Sequence, residues 1–258
     1  MSNICTGVNI SPSRIEVAQV KKNFVGYQLL KHAAVGIENK DVPEYSLEGG
    51  DKMSRELYKS RVSSALRKVF EDNNIEPVGV VVAIPDTEII LRYFSMAYLP
   101  PKEWATAVRF EAQKYVPFRM EEVVSDFFVI DAKEKKKELK VVFIAAKKDT
   151  LGKYIDIFKD AGINVSAVEI PSLSLLRLFN SLGILSKKGV TAFLSANNKG
   201  AVLSICDNSM LYLMRDFSLS PRAQISDVFG IEQKVNSGGP SEEYENLLRE
   251  IQLSFDYQ

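Results

Sequence analysis

The architecture turns on residues 98–118, Tyr98-Leu99-Pro100-Pro101-Lys102-Glu103-Trp104-Ala105-Thr106-Ala107-Val108-Arg109-Phe110-Glu111-Ala112-Gln113-Lys114-Tyr115-Val116-Pro117-Phe118. Two consecutive prolines cannot continue a strand ladder, and the run from Lys102 to Val116 contains neither Gly nor Pro, which predicts a helix. At 100° per residue, Trp104, Ala105, Val108, Ala112, Tyr115 and Val116 share one broad face, the face expected to be buried. Phe110 falls instead among Glu103, Thr106, Gln113 and Lys114. A large apolar side chain on a polar face points to a contact beyond its own core. Pro117 stops the helix, because the residue before a proline is pushed out of the helical region.

Outward from this stretch, Ile89 to Tyr98 reads as a strand before the helix. Val123 to Asp131 and Leu139 to Ala146 read as two strands after it, around Lys133-Glu134-Lys135-Lys136-Lys137-Glu138. Six charges in a row cannot be buried cheaply, so they form a solvated hairpin tip. The result is a β-α-β-β module. Ile4–Ile10 and Ile15–Lys21 read as strands around Ser11-Pro12-Ser13, and Phe24–Ala34 as a third. Residues 40–53, rich in Gly, Pro and charge, form a loop, and Ser54 is expected to cap a helix that ends near Asn73-Asn74. Val78–Ile84, nearly all β-branched, is a strand covered on both faces. Asp149 or Thr150 is expected to cap a helix to Gly162, Ile163–Ile170 returns as a strand, and Pro171 starts a leucine-rich helix. Val190–Ser195, Ala201–Cys206 and Met210–Phe217 then repeat the strand-turn-strand-turn-strand plan of the N-terminus, an internal echo that suggests two related halves. Past Pro221 come a short helix, the loop Ser237-Gly238-Gly239-Pro240 and a final helix from Ser241.

With 258 residues, 46% of them hydrophobic, the chain can bury a sizeable core. Lys plus Arg equals Asp plus Glu at 33 each, so no global field favours nucleic acid or an anionic surface. No apolar run reaches the roughly 18 to 20 residues that span a bilayer, and Met1-Ser2-Asn3-Ile4-Cys5 lacks the features of a signal peptide. The expectation is a cytoplasmic chain with no direct membrane insertion. Cys5 and Cys206 sit inside expected strands as small hydrophobes in a reducing compartment.

Several words in the sequence resemble a known family. Gly7-Val8-Asn9-Ile10-Ser11-Pro12-Ser13, Val82-Ala83-Ile84-Pro85, Phe110-Glu111-Ala112-Gln113-Lys114-Tyr115-Val116-Pro117-Phe118, Asp126-Phe127, Val168-Glu169 and Glu250-Ile251-Gln252-Leu253-Ser254-Phe255-Asp256-Tyr257 resemble PilM. PilM is the cytoplasmic assembly protein of type IV pili, in the actin-like ATPase superfamily and related to FtsA. The resemblance covers nearly the whole chain, and Glu-Ala-x-x-Tyr-Val-Pro-Phe is its most specific part.

The resemblance implies an α/β, actin-like (ribonuclease-H-like) fold with the β-α-β-β module inserted. Residues 1–86 and 169–188 would form the first subdomain, 87–168 the module, and 189–258 the start of a second half that stops short of the strands and adenosine loop of relatives. It also implies a cytoplasmic adaptor of a pilus inner-membrane platform, peripheral to that membrane through its partner. The partner is the N-terminal tail of a PilN-like membrane protein, bound in a groove beside the module. The candidate partner-binding residues are Phe110, Tyr115, Val116, Pro117 and Phe118, with core packing and the proline helix stop as the alternative role of the last four and a subdomain contact that of Phe110. Other platform proteins and a homo-oligomer are compatible with the same role. Alternatives are a working actin-like ATPase that drives pilus assembly, and the cytoplasmic domain of a type II secretion platform protein.

Relatives bind ATP and Mg between two turns that each offer an aspartate and a glycine. Here the first turn reads Asn9-Ile10-Ser11-Pro12-Ser13 and the second Ser195-Ala196-Asn197-Asn198-Lys199-Gly200. Asn9 removes a charge, Ser11 replaces the glycine, and Pro12 deletes an N–H donor. The candidate nucleotide contacts, Asn9, Ser11, Ser13, Ser195, Asn197 and Lys199, therefore define a degenerate site, with Ser220-Pro221 where relatives place Gly-Gly. Nothing else in the sequence forms a catalytic constellation. His32 is the only histidine, which leaves no metal site or nucleophilic triad.

Overall fold

The computed structural model describes residues 3–11, 14–37, 52–133, 137–185, 189–197, 200–207 and 210–218. The expected loop at 40–50, Ser13, Lys199, the centre of the charged tip and everything from residue 219 onward lie outside them. The chain divides into two compact units, Met1–Ile90 with Pro101–Phe127 and Phe143–Pro171, and Leu91–Pro100 with Phe128–Val142 and Ser172–Gln258.

In the first unit, β1 (Ile4–Ile10), β2 (Arg14–Asn23) and β3 (Gly26–Gly36) form an antiparallel meander. β4 (Val80–Ala83) runs parallel to β1, and β8 (Val165–Glu169) runs parallel to β4. The order is β3-β2-β1-β4-β8, the ribonuclease-H-like plan expected of an actin-like subdomain. Two helices, α1 (Lys52–Asp72) and α3 (Lys148–Asp160), bury one face of this sheet. Val8, Ile15, Val17 and Val82 meet Val62, Leu66, Ile157 and Phe158 in one core, close-packed because alternate strand residues and every third or fourth helix residue point the same way. Ser63 ties the two helices by donating to the Ile157 carbonyl at 3.0 Å.

A polar pair closes one end of that core. Gln19 Nε2 donates to Thr6 Oγ1 at 3.0 Å and to the Glu76 carbonyl at 2.9 Å. Thr6 Oγ1 in turn donates to the Val78 carbonyl at 2.9 Å. The segment that enters β4 is thus pinned to β1 and β2. Gly79 makes the approach possible, since at φ +56° a Cβ there would lie 2.8 Å from the Ile4 carbonyl oxygen.

The module elements are β5 (Ile89–Ala97), α2 (Trp104–Ala112), β6 (Val123–Lys133) and β7 (Glu138–Lys147). Their sheet order is β5-β7-β6. The central place of β7 explains its apolar run, with Leu139, Val141, Val142, Phe143, Ala145 and Ala146 all buried. In the second unit β9 (Val190–Asn197), β10 (Gly200–Asp207) and β11 (Met210–Ser218) form another antiparallel meander. It echoes β1-β2-β3 down to an irregularity in the pairing of its second and third strands, at Ile205/Cys206 here and Gln19/Val20 there. Phe193 on β9 meets Phe179 of α4 (Pro171–Ser181) edge to face, ring centroids 5.3 Å apart.

Three helix boundaries differ from expectation. α1 begins at Lys52, so Ser54 lies within it and is not its cap. The cap position of α3 is Lys147, with no side-chain cap bond. Asp149 sits instead in the first turn, where a carboxylate complements the helix dipole, and Thr150 is buried. The third, α2, ends at Ala112 rather than 116. Tyr115 N–H bonds back three residues to Ala112, Lys114 N–H bonds back three to Glu111, and only Val116 keeps the four-residue step. Tightening of the last turn ahead of Pro117 is the cause.

Candidate partner-binding site and the two turns

Within α2, Val108 and Ala112 are fully buried, while Phe110, between them in sequence and on the opposite side of the helix, is 68% exposed. The wheel expectation holds for those three residues. It fails for Ala105 and Tyr115, both exposed. Tyr115 lies past the point where the helix tightens, so the 100° phase no longer applies to it. Val116 turns inward and is 7% exposed. Pro117 is exposed and Phe118 half-buried.

Charged groups contact this segment, Lys147 among them, which no motif announced. Lys147 Nζ, at the end of β7, lies 4.2 Å from the centre of the Phe118 ring. Arg109 Nη2 donates to the Met120 carbonyl at 2.9 Å, which ties the segment after Pro117 back to α2. Glu111 and Lys114 pair at 2.8 Å, and Arg119 pairs with Glu122. Hydrogen bonding to Glu111 and Glu122 raises Lys114 and Arg119 above their ordinary pKa values. Sequence spacing does not reveal the Lys147 contact, because only the fold brings β7 to this loop. Phe110, Tyr115 and Pro117 are thus exposed and Phe118 half-buried along one segment that also carries the Glu111–Lys114 and Arg119–Glu122 pairs, with Val116 buried among them in sequence. Exposed aromatic side chains of this kind can take up apolar side chains of an extended segment.

The first of the two turn sequences is closed on itself. Ser11 N–H and Oγ both donate to the Arg14 carbonyl at 2.9 Å, and Arg14 N–H donates to Ser11 Oγ at 3.2 Å. Asn9 Nδ2 donates to Glu16 at 3.4 Å, and Glu16 also pairs with Arg14 at 2.9 Å. Asn9, Ser11, Arg14 and Glu16 thus bond to one another across the β1–β2 turn, and Asn9 offers an uncharged amide where a divalent ion calls for a carboxylate. Ser195 is exposed on β9. Among the described residues no group of three or more His, Cys, Asp or Glu side chains is placed to hold a metal. No described helix is long and apolar enough to cross a membrane.

Against known proteins, the family described as type IV pilus assembly protein PilM (PilM_2) matches residues 7–220. Among solved structures, the PilM-PilN type IV pilus biogenesis complex matches with a TM-score of 0.70 at 19% identity, over 97% of this chain and 75% of that one. The cytoplasmic domain of Epsl, an inner membrane component of the type II secretion system of Vibrio cholerae, gives 0.49 at 10% identity, over 90% and 78%. A Bacteroides thetaiotaomicron protein with an actin-like ATPase fold gives 0.42 at 11%, over 98% and 78%. The strand order and the first of these likenesses agree on an α/β, actin-like fold. With the family match running through both meanders and the module between them, the chain belongs to the PilM family of type IV pilus assembly proteins.

Proposed function

We propose that the chain is an adaptor of a type IV pilus inner-membrane platform and that it holds the N-terminal tail of a PilN-like membrane protein through Phe110, Tyr115, Val116, Pro117 and Phe118. The observation that carries this is Phe110, 68% exposed on the side of α2 away from its buried anchors. An aromatic ring held in water by a short helix contributes nothing to the core, whereas covering it with a partner stabilises the complex. Family membership supports the platform role, and a solved member of the fold forms a complex with PilN. In this reading residues 1–86 with 169–188 are the first subdomain, 87–168 the inserted module and 189–258 the start of the second.

The nucleotide site belongs to the same proposal as a degenerate one, in which Asn9 and Ser11 serve to close a hairpin. Calorimetric titration with a PilN-like N-terminal peptide tests the adaptor. Phe110→Ala is expected to weaken binding at least about tenfold with the melting transition unchanged, and equal affinity would remove Phe110 from the site. On the same preparation, millimolar Mg-ATP is expected to leave the melting temperature in place. An upward shift would instead support the ATPase.

A further inference from the structure

The β2–β3 hairpin ends in a turn whose residues its folding does not explain. Asn23 pairs with Gly26, so Phe24 and Val25 are the two central residues of the loop. Two-residue hairpin loops favour Asn, Asp and Gly, yet these positions carry an aromatic and a β-branched side chain, both fully exposed. Only Gly26 in this turn has a positive φ, at +147°. Tyr27 stands opposite Lys22, and Leu29 opposite Val20. Opposite residues of an antiparallel pair share a face, and Tyr27 and Leu29 are 66% and 61% exposed. Lys22 N–H donates to the Asn3 carbonyl at 2.8 Å. β1 pairs with β2 only as far as Lys21, opposite Ile4, so past that bond the pairing runs between β2 and β3 alone out to the exposed tip.

Charge selects the occupant. From Val17 to Ile37 the sequence carries Lys21, Lys22, Lys31 and His32 and not one carboxylate, within a chain whose acidic and basic side chains are equal at 33 each. Lys31 holds the hairpin to the body by donating to the carbonyls of Asn73 and Asn74. Lys21 and Lys22 are exposed beside the tip. A convex, aromatic and aliphatic tip flanked by ammonium groups matches an anionic lipid surface. The apolar side chains enter the headgroup boundary, the tyrosine hydroxyl stays in the wet layer, and the lysines meet lipid phosphates.

We propose that the tip of the β2–β3 hairpin, Phe24 and Val25 with Tyr27, Lys21 and Lys22, docks into an anionic membrane surface and orients the chain on it. The hairpin lies in the interface and does not cross the bilayer, so it adds a direct contact to the partner-mediated membrane attachment that the family resemblance implies. The proposal does not rest on tail binding, since none of these residues belongs to segment 110–118.

Co-sedimentation of the full chain with vesicles tests it, using phosphatidylethanolamine with phosphatidylglycerol against phosphatidylcholine alone. The unaltered chain is expected to pellet with the anionic vesicles only. Phe24→Ser with Val25→Ser is expected to lower partitioning at least about tenfold, and Lys21→Gln with Lys22→Gln to remove much of its salt dependence. Melting curves should stay unchanged, because the tip touches no core. In a Phe24→Trp chain the added emission is expected to shift to the blue on anionic vesicles. No shift, equal pelleting of all variants, or a lipid-free dimer abolished by Phe24→Ser with Val25→Ser would each overturn the proposal, the last in favour of a second copy of the chain.

Discussion

The Lys147 ammonium sits over the Phe118 ring, 4.2 Å from its centre, and so joins the end of β7 to the segment that follows the helix stop. Lys147 is exposed and Phe118 half-buried, a setting in which a cation–π pair contributes about 0.5–1 kcal/mol. A double-mutant cycle of Lys147→Gln and Phe118→Leu, followed by urea unfolding, is expected to return a coupling of that size. Additive effects would reduce the contact to mere proximity.

Phe110 and Val116 should separate binding from stability. Val116 is 7% exposed against 68% for Phe110. Val116→Ala is expected to lower stability by about 1–3 kcal/mol through the cavity it leaves, while Phe110→Ala stays within about 0.5 kcal/mol of the unaltered chain. Denaturant midpoints check both. A large loss from Phe110→Ala would mean that the ring packs on something in the folded chain.

The Gln19–Thr6 pair is a buried network whose half-removal is costlier than its whole removal. Gln19→Met leaves the nearly inaccessible Thr6 hydroxyl without its donor and is expected to cost about 1–3 kcal/mol. Gln19→Met combined with Thr6→Val should cost less than the sum of the two single changes. Thermal unfolding of the four proteins measures the difference.

Cys206 supplies an alkaline signature. It is 1% exposed on β10, and burial pushes its thiol from 9.0 up to about 11. The charged thiolate is the form the folded chain disfavours, so between those values the native state holds a proton that the unfolded chain has released. Its contribution to stability is therefore complete below pH 9.0 and is lost as the pH rises through about 11. Unfolding free energy measured across that window should fall less steeply in Cys206→Ala. In the folded protein at pH 8, a thiol reagent is expected to label Cys5, which is half-buried, well before Cys206.

Alternation and β-branched runs are properties of neighbouring residues, so the strands and their succession along the chain were legible before any pairing: Ile4–Ile10 to the residue, and the two meanders as echoes of each other. The sequence by itself also marked Phe110 as out of place on its helix, since that judgement needs only the 100° step. Tertiary structure decided what depends on distant partners. Tyr115 faces out and Val116 in because the turn before Pro117 tightens. Lys147 reaches Phe118 because the sheet order places β7 between β5 and β6. Ser11 is spent on its own turn because β1 and β2 pair in the register that sets Ile10 against Ile15. The exposure of Phe24 and Val25 followed only from where β1 stops supporting the hairpin. Local propensity is written in adjacent residues, whereas burial and pairing are set by which segments the fold brings together.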